Sequence, residues 1–251
     1  MKAVIIVSLL IAESTIAQTL KVTYPPFLQQ QETGSNSARQ AFQHSPDQVT
    51  QSVTTPSSVT WQIPFASVDN TILLVILNRS SVAAKNVSVT FGNLPSWIKF
   101  KSNTYLIKSI APDLSQDAEF TFSIDRKAPV GKDTTLTATI KSSDGETWAK
   151  EIKISISAPK DYKLYDNFPN PFNPSTKIAF ELPKASHVKL MIYDNIGREV
   201  AQVADADYPT GYSELTWNGT NKNGSLVSSG IYFCRINAGR WSKVMKMMVL
   251  K

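Results

Sequence analysis

Beyond Trp61 most of the chain alternates apolar and polar residues with a period of two, the spacing of strands that bury one face. Val87 and Val89 oppose Ser88 and Thr90, and Phe120, Phe122 and Ile124 share a side. Leu136, Ala138 and Ile140 run to an Asp144-Gly145 turn, and Trp148, Ile152, Ile154 and Ile156 return from it. That pair is the clearest hairpin, because Asp-Gly suits the positive φ of a tight turn. The centre of DNTILLVILNRS is apolar throughout, which fits a strand buried on both faces or overlapping alternation. Asn93-Leu94-Pro95 turns the chain, Trp97 is large enough to anchor a core, and Pro129 and Gly131 punctuate a second turn. Short strands at this spacing predict an antiparallel sandwich over 60–158.

A second alternating series follows a stiff entry. DNFPNPFNPSTKIAFEL, residues 166–182, holds two Asn-Pro steps around Phe172: Asn170-Pro171 and Asn173-Pro174. Each proline fixes its own φ and moves the preceding asparagine out of the helical region. The segment is therefore extended; by itself it fits either a dedicated lead-in or an ordinary Pro-rich linker. Ile178, Phe180 and Leu182 then fall on one face, with Lys177 and Glu181 on the other. Val188, Leu190 and Ile192 alternate up to an Asp194–Gly197 turn in which Gly197 takes positive φ. Glu199 and Val200 open the next strand, Tyr208–Gly211 turns, and Leu215 and Trp217 point inward. After the loop NGTNKNG, Gly230 precedes Tyr232 and a strand to Ile236, and residues 241–250 close the sheet. About seven strands fit here, as in an Ig-type sandwich. Pro159 cannot continue a ladder as a donor. Residues 159–164 therefore read as a linker, hinge or cleavage site.

The N-terminal 59 residues read differently. Lys2, an apolar run from Ala3 to Ala12, and the small residues Thr15 and Ala17 make a secretory leader, residues 1–17, cut between Ala17 and Gln18. The alternative is a buried N-terminal strand. The run is too short for a transmembrane helix. Residues 18–59 are rich in Gln, Ser, Thr, Asn and Pro, with few apolar positions to offset chain entropy, so they read as a flexible polar tether. The expectation is an all-β protein: two tandem Ig-like sandwiches behind a leader and a linker.

Composition removes several kinds of chemistry. The net charge is +6, but the lysines and arginines are spread along strands with no arginine-rich run, which argues against nucleic acid. One cysteine, Cys234, precludes an internal disulfide, and two histidines, His44 and His187, are too few for a His-ligated zinc site. No phosphate-cradling glycine loop, HExxH or GxSxG string occurs. Asp113, Asp117 and Glu119, like Asp205 and Asp207, read as solvated turn acids rather than a hydrolytic pair. A calcium ion among Asp205, Asp207, Asn218, Asn221 and Asn223 matches no defined loop. The expectation is no catalytic residue, no cofactor and no metal.

The C-terminal strings carry a resemblance. NFPNPFNPSTKIAFELP, HVKLMIYDNIGREV, SSGIYFCRI and WSKVMKMMVLK, in that order over 165–251, resemble the C-terminal sorting domain of the type IX (Por) secretion system. The resemblance implies a sorting motif carried here by Asn170, Pro171, Phe172, Asn173, Pro174, Gly197, Gly230, Tyr232, Lys246 and Lys251. It implies as partners the secretion translocon and a surface transpeptidase-like protease, with a lipopolysaccharide anchor or surface glycans beyond them. Cys234 departs from the family, which more often has an aromatic or aliphatic residue there. The order of pieces in residues 60–158 loosely resembles Ig-like accessory domains of bacterial surface proteins and glycosidases, implying a spacer or adhesion role. The expected protein is exported, non-catalytic and displayed at the cell surface or released. The alternatives are a carbohydrate-binding module that stacks sugars on Trp61, Trp97 and Trp148, and a small hydrolase.

Overall fold

The computed structural model describes the backbone of residues 4–11 and all of residues 59–251. The predicted cut at Ala17-Gln18 and nearly all of the polar tether lie outside the described residues. Every described regular element is a strand, in two sandwiches.

The first sandwich opens with β1 (Val4–Ile11), which lies parallel to β3 (Asn70–Asn78), Val4 opposite Thr71 and Ile11 opposite Asn78. β3 pairs antiparallel with β7 (Ser115–Ile124), which pairs with the short β5 (Ile98–Phe100). The facing sheet runs β2 (Thr60–Ile63), β9 (Thr147–Ile156), β8 (Asp133–Lys141), β4 (Ala84–Gly92), β6 (Thr104–Ile110). Alternation puts Ile72, Leu74 and Ile76 from one sheet against Val87, Val89, Phe91, Leu136 and Ile140 from the other, all buried. β3 alternates between buried and half-buried positions, so overlapping alternation describes its apolar centre. Phe91 meets Phe120 edge-on at 4.9 Å and stacks on Phe100 at 4.9 Å, ring geometries that add to simple area burial. Asn70 and Asn78 end β3 as buried polar side chains, and Asn78 donates to the Val82 and Ile110 carbonyls at 2.9 and 2.8 Å. Polar groups so placed fix where the strand stops.

The second sandwich has seven strands. One sheet is β10 (Lys163–Leu164), β11 (Thr176–Leu182), β14 (Gly211–Trp217). The other is β13 (Glu199–Tyr208), β12 (Ser186–Tyr193), β15 (Gly230–Ala238), β16 (Trp241–Val249). Ile178, Phe180, Leu182, Val188, Leu190 and Ile192 are all fully buried, as the period-two pattern requires. Gly197 sits in its turn at φ 82°.

Glu181 departs from its expected solvent side. It is buried at 7% exposure, and the Tyr165 hydroxyl donates to its carboxylate. β10 lies beside β11 through the Lys163–Glu181 and Leu164–Phe180 pairs and brings Tyr165 onto the Glu181 side chain, so the linker's own end shelters it.

The segment between the sandwiches is held on several sides. Pro159 is buried, and Tyr162 stacks on Trp241 with ring centres 5.2 Å apart. The Arg126 guanidinium of the first sandwich sits 4.6 Å from the Tyr165 ring and 5.8 Å from the Tyr212 ring of the second. A Cβ added at Gly211 would come within 3.0 Å of Val130 Cγ2 and 4.0 Å of Phe65, so a bare glycine lets the two bodies meet.

Candidate docking site on the terminal strand

The Asn-Pro run and the closing strand, about 75 residues apart in sequence, lie side by side. β16 pairs with β15 through a two-residue turn at Gly239-Arg240, with Ala238 opposite Trp241. Its other side is the edge of the sheet. In an antiparallel pair, alternate residues aim their N–H and C=O at the partner strand or away from it. Residues 241, 243, 245, 247 and 249 bond to β15, so Ser242, Val244, Lys246, Met248 and Leu250 present theirs to the edge.

The Asn-Pro run takes up both outward groups of Met248 and the N–H of Leu250. Phe172 N–H donates to the Met248 carbonyl at 3.0 Å, and Leu250 N–H donates to the Phe172 carbonyl at 3.0 Å. Met248 N–H donates to Asn170 Oδ1 at 3.0 Å. Phe172 thus forms a parallel bridge with Val249, a short length of added strand. Its three proline peptide bonds, Phe168-Pro169, Asn170-Pro171 and Asn173-Pro174, are cis.

Beneath the backbone the ring of Phe172 is 2% exposed. It meets Trp217 edge-on at 5.5 Å, and Trp217 meets Tyr232 at 5.7 Å. Tyr232 donates its hydroxyl to the Ser228 carbonyl at 3.0 Å, and burial raises its pKa. Trp217 Nε1 donates to the Thr220 carbonyl at 2.9 Å, so both polar handles of the aromatic row are satisfied. Gly219, at φ 65°, lies so close beneath Pro174 that a Cβ there would fall 2.5 Å from the Pro174 carbonyl oxygen. Asn167 and Thr176 hold the base of the run: Asn167 Nδ2 reaches Thr176 Oγ1 at 2.9 Å, and Thr176 Oγ1 donates to the Pro169 carbonyl at 2.8 Å.

Most of the sorting residues expected from sequence therefore converge. Asn170 and Phe172 touch β16, Pro174 packs over Gly219, and Tyr232 lies opposite Met247. Gly230 opens β15 opposite Val249, and Lys251 N–H donates to Ser229 Oγ at 3.0 Å. Lys246 is exposed beyond the covered stretch, and Pro171 and Asn173 are exposed in the run itself. Gly197 helps line a shallow groove of about 350 Å³ on the outer face, with Tyr193, Phe233, Arg235 and Val244. The sequence pattern did not single out Trp217, Gly219, Thr176 or Asn167 for the site. The turn glycine in an aromatic-flanked loop was the available signal for Gly219.

Other candidates are occupied by structural contacts. His187 lies between two carboxylates, Nε2 2.7 Å from Asp205 Oδ1 and Nδ1 2.9 Å from Asp207 Oδ1. Hydrogen bonds to Asp205 and then Asp207 raise the His187 pKa, and the bond from His187 lowers that of Asp205. Asn221 Oδ1 accepts the N–H groups of Asn223 and Ser225, shaping its own loop. Among the described residues no three His, Cys, Asp or Glu side chains gather as a metal site. Asp113 pairs with Arg79 at 3.2 Å. Trp61, Trp97 and Trp148 are half-buried and pack against the first core. Cys234 is fully buried, and desolvation pushes its thiol pKa up to about 12.

Fold and site together define a tandem Ig-like β-protein. Residues 167–240 match the family model of the FlgD Ig-like domain, a span that falls within the second sandwich and covers less than half of the chain. No curated protein matches the chain. Solved structures with some likeness include dimeric latent PorU from Porphyromonas gingivalis, 17% identical over 78% of this chain and 19% of that one, TM-score 0.30. PorZ, an essential bacterial surface component of the type-IX secretion system of the same organism, is 20% identical over 46% of this chain and 15% of that one, TM-score 0.29. The CupB2 chaperone of Pseudomonas aeruginosa is 11% identical over 75% of this chain and 96% of that one, TM-score 0.24. The chain thus spans less than a fifth of PorU and of PorZ, and no overall superposition supports an argument from any of the three.

Proposed function

We propose that residues 165–251 are a folded sorting signal for the type IX secretion system and that the first sandwich is non-catalytic cargo, a spacer or adhesion module. One observation carries the reading: the Asn-Pro run, the Gly230–Tyr232 strand start and the lysine-bearing terminal strand, strings scattered over the sequence, come together around β16, with Phe172 and Tyr232 buried beneath and Pro171, Asn173 and Lys246 exposed. A signal read by a partner needs its exposed residues held in one place, and the buried rings of Phe172 and Tyr232 hold them there. Residues 1–17 are, in this reading, the leader that supplies inner-membrane export, and cutting it off takes β1 from beside β3, leaving β3 as an edge of its sheet. In this reading the translocon and a transpeptidase-like protease are the partners, and surface or extracellular space is the destination.

The carbohydrate-binding alternative loses ground, because stacking sugars needs free aromatic faces and each of the three tryptophans packs on the core. Deleting Lys246–Lys251 removes the covered end of β16 while leaving the first sandwich untouched. In a host with a functioning type IX system the truncated protein is expected to stay in the periplasm. Undiminished display of that truncation would contradict the reading.

A further inference from the structure

Resting on that reading, we infer how the partner engages: the uncovered length of β16, Ser242 to Lys246, accepts an added strand from another polypeptide, an extended segment bearing carboxylate side chains. Four observations carry this.

First, the edge is open there. Phe172 and Asn170 satisfy both outward groups of Met248 and the N–H of Leu250, but those of Ser242, Val244 and Lys246 face away from β15 with no other strand among the described residues beside them. Unpaired edge groups are a template for strand addition. Second, the molecule already uses that template. The Phe172–Val249 bridge is a parallel strand addition one residue long, and it stops where the open edge begins.

Third, the charge fits an acidic partner. Met245, Met247 and Val249 point into the core, so Lys243 projects from their side and Lys246 from the outer side, both exposed. An added strand about 4.8 Å away meets a lysine on each of its faces. Among the described residues neither lysine is in an ion pair. Arg235, opposite Val244, adds a cation on the outer side, while Asp194 nearby is already bound by Arg198 at 2.8 Å.

Fourth, the outer face beside the edge exposes apolar side chains among its charges. Val244 is 51% exposed, Met248 36%, and Ile231, opposite Met248, 41%. The groove beside Val244 is walled by Phe233 and Tyr193 together with Asp194, Asn195 and Arg235, so an incoming side chain meets both apolar and polar walls there. The lysines that deter promiscuous pairing thus also choose the partner, by admitting carboxylates and repelling other basic strands.

Three full-length variants test this by surface display in a type IX-competent host. Val244→Pro removes an outward N–H without breaking a β15 bond, and proline is tolerated on such edges. Val244→Thr keeps the N–H. Lys246→Glu reverses the charge at an exposed position and leaves the fold intact even where proline perturbs it. Display is expected to be mostly lost for Val244→Pro and Lys246→Glu and retained for Val244→Thr. Normal display of both Val244→Pro and Lys246→Glu, where deleting Lys246–Lys251 abolishes it, would overturn the strand-addition proposal and leave the sorting function standing. Normal display of Lys246→Glu alone would overturn the carboxylate partner. Normal display of the deletion would remove the function beneath both.

Discussion

At the scale of single residues, Phe172 shows how a turn-forming string acquires a structural task. Two Asn-Pro steps force the backbone out of helix, and the ring between them is thereby free to drop onto Trp217. Phe172→Ala is expected to destabilise the second sandwich by about 3–5 kcal/mol, the range for emptying an aromatic core site; urea denaturation followed by tryptophan fluorescence measures it. Cys234 makes the opposite point. Its isolation in an apolar strand marks it in the sequence as a small buried hydrophobe, and full burial with a thiol pKa near 12 agrees. The native protein at neutral pH should resist iodoacetamide and react after unfolding; rapid labelling of the folded chain would contradict that burial. His187 was legible only as one of two histidines. Its two carboxylate neighbours come from β13, opposite it across the ladder. Both ring nitrogens face carboxylate oxygens, so both donate and the imidazolium is favoured. Its pKa is raised, so this pairing contributes below the unfolded value near 6.5 and fades as pH rises through the folded value. An NMR titration of the ring should give a midpoint above 6.5.

At the scale of elements, alternation located the strands that bury a continuous face. β4, β7, β8 and β9, and β11 and β12 after them, expose a period of two because each packs one side on a core. β5 and β6 gave no such pattern. β5 has three residues, and β6 is an edge strand that buries only Ile107 and Ile110, three positions apart. Glu181 was assigned to solvent because alternation knows nothing of what packs on the second face, here Tyr165 just after β10, a strand of two residues too short to show any periodicity. Its burial gives a prediction. Tyr165→Phe removes the hydroxyl that donates to the buried carboxylate and should cost about 1–3 kcal/mol, the penalty for an unpaired buried polar group. Thermal unfolding of the variant reports it, and an unchanged melting temperature would mean that water replaces the tyrosine there. The convergence of residues 170–174 with 248–250 was beyond any local pattern, since register between distant segments is set by the whole sheet.

At the scale of the molecule, the junction decides whether cargo and signal behave as one body. Composition made residues 159–164 a linker, hinge or cleavage site; in the fold Pro159 is buried, Tyr162 stacks on Trp241, and Arg126 reaches across to Tyr165 and Tyr212. Single cation–π contacts of this kind contribute about 0.5–2 kcal/mol. Arg126→Ala should therefore loosen the junction without unfolding either sandwich; limited proteolysis near the exposed Lys160-Asp161 step should speed up while the melting of each sandwich stays put. A junction that resists protease as well as the native one would show that the other contacts suffice. The fold class and the two-body division could be read from strand spacing alone. The contacts that fix one body on the other could not, because Arg126, Gly211 and Val130 look like ordinary turn residues until the chain is folded.

The most direct test of the sorting function moves the signal rather than damaging it. Residues 165–251 joined behind an export leader and an inert reporter, expressed in a type IX-competent host, should place the reporter outside the outer membrane. The same fusion should remain periplasmic in a host whose type IX translocon is disabled. A reporter held in the periplasm of the competent host, with the fused domain shown to be folded, would contradict the account.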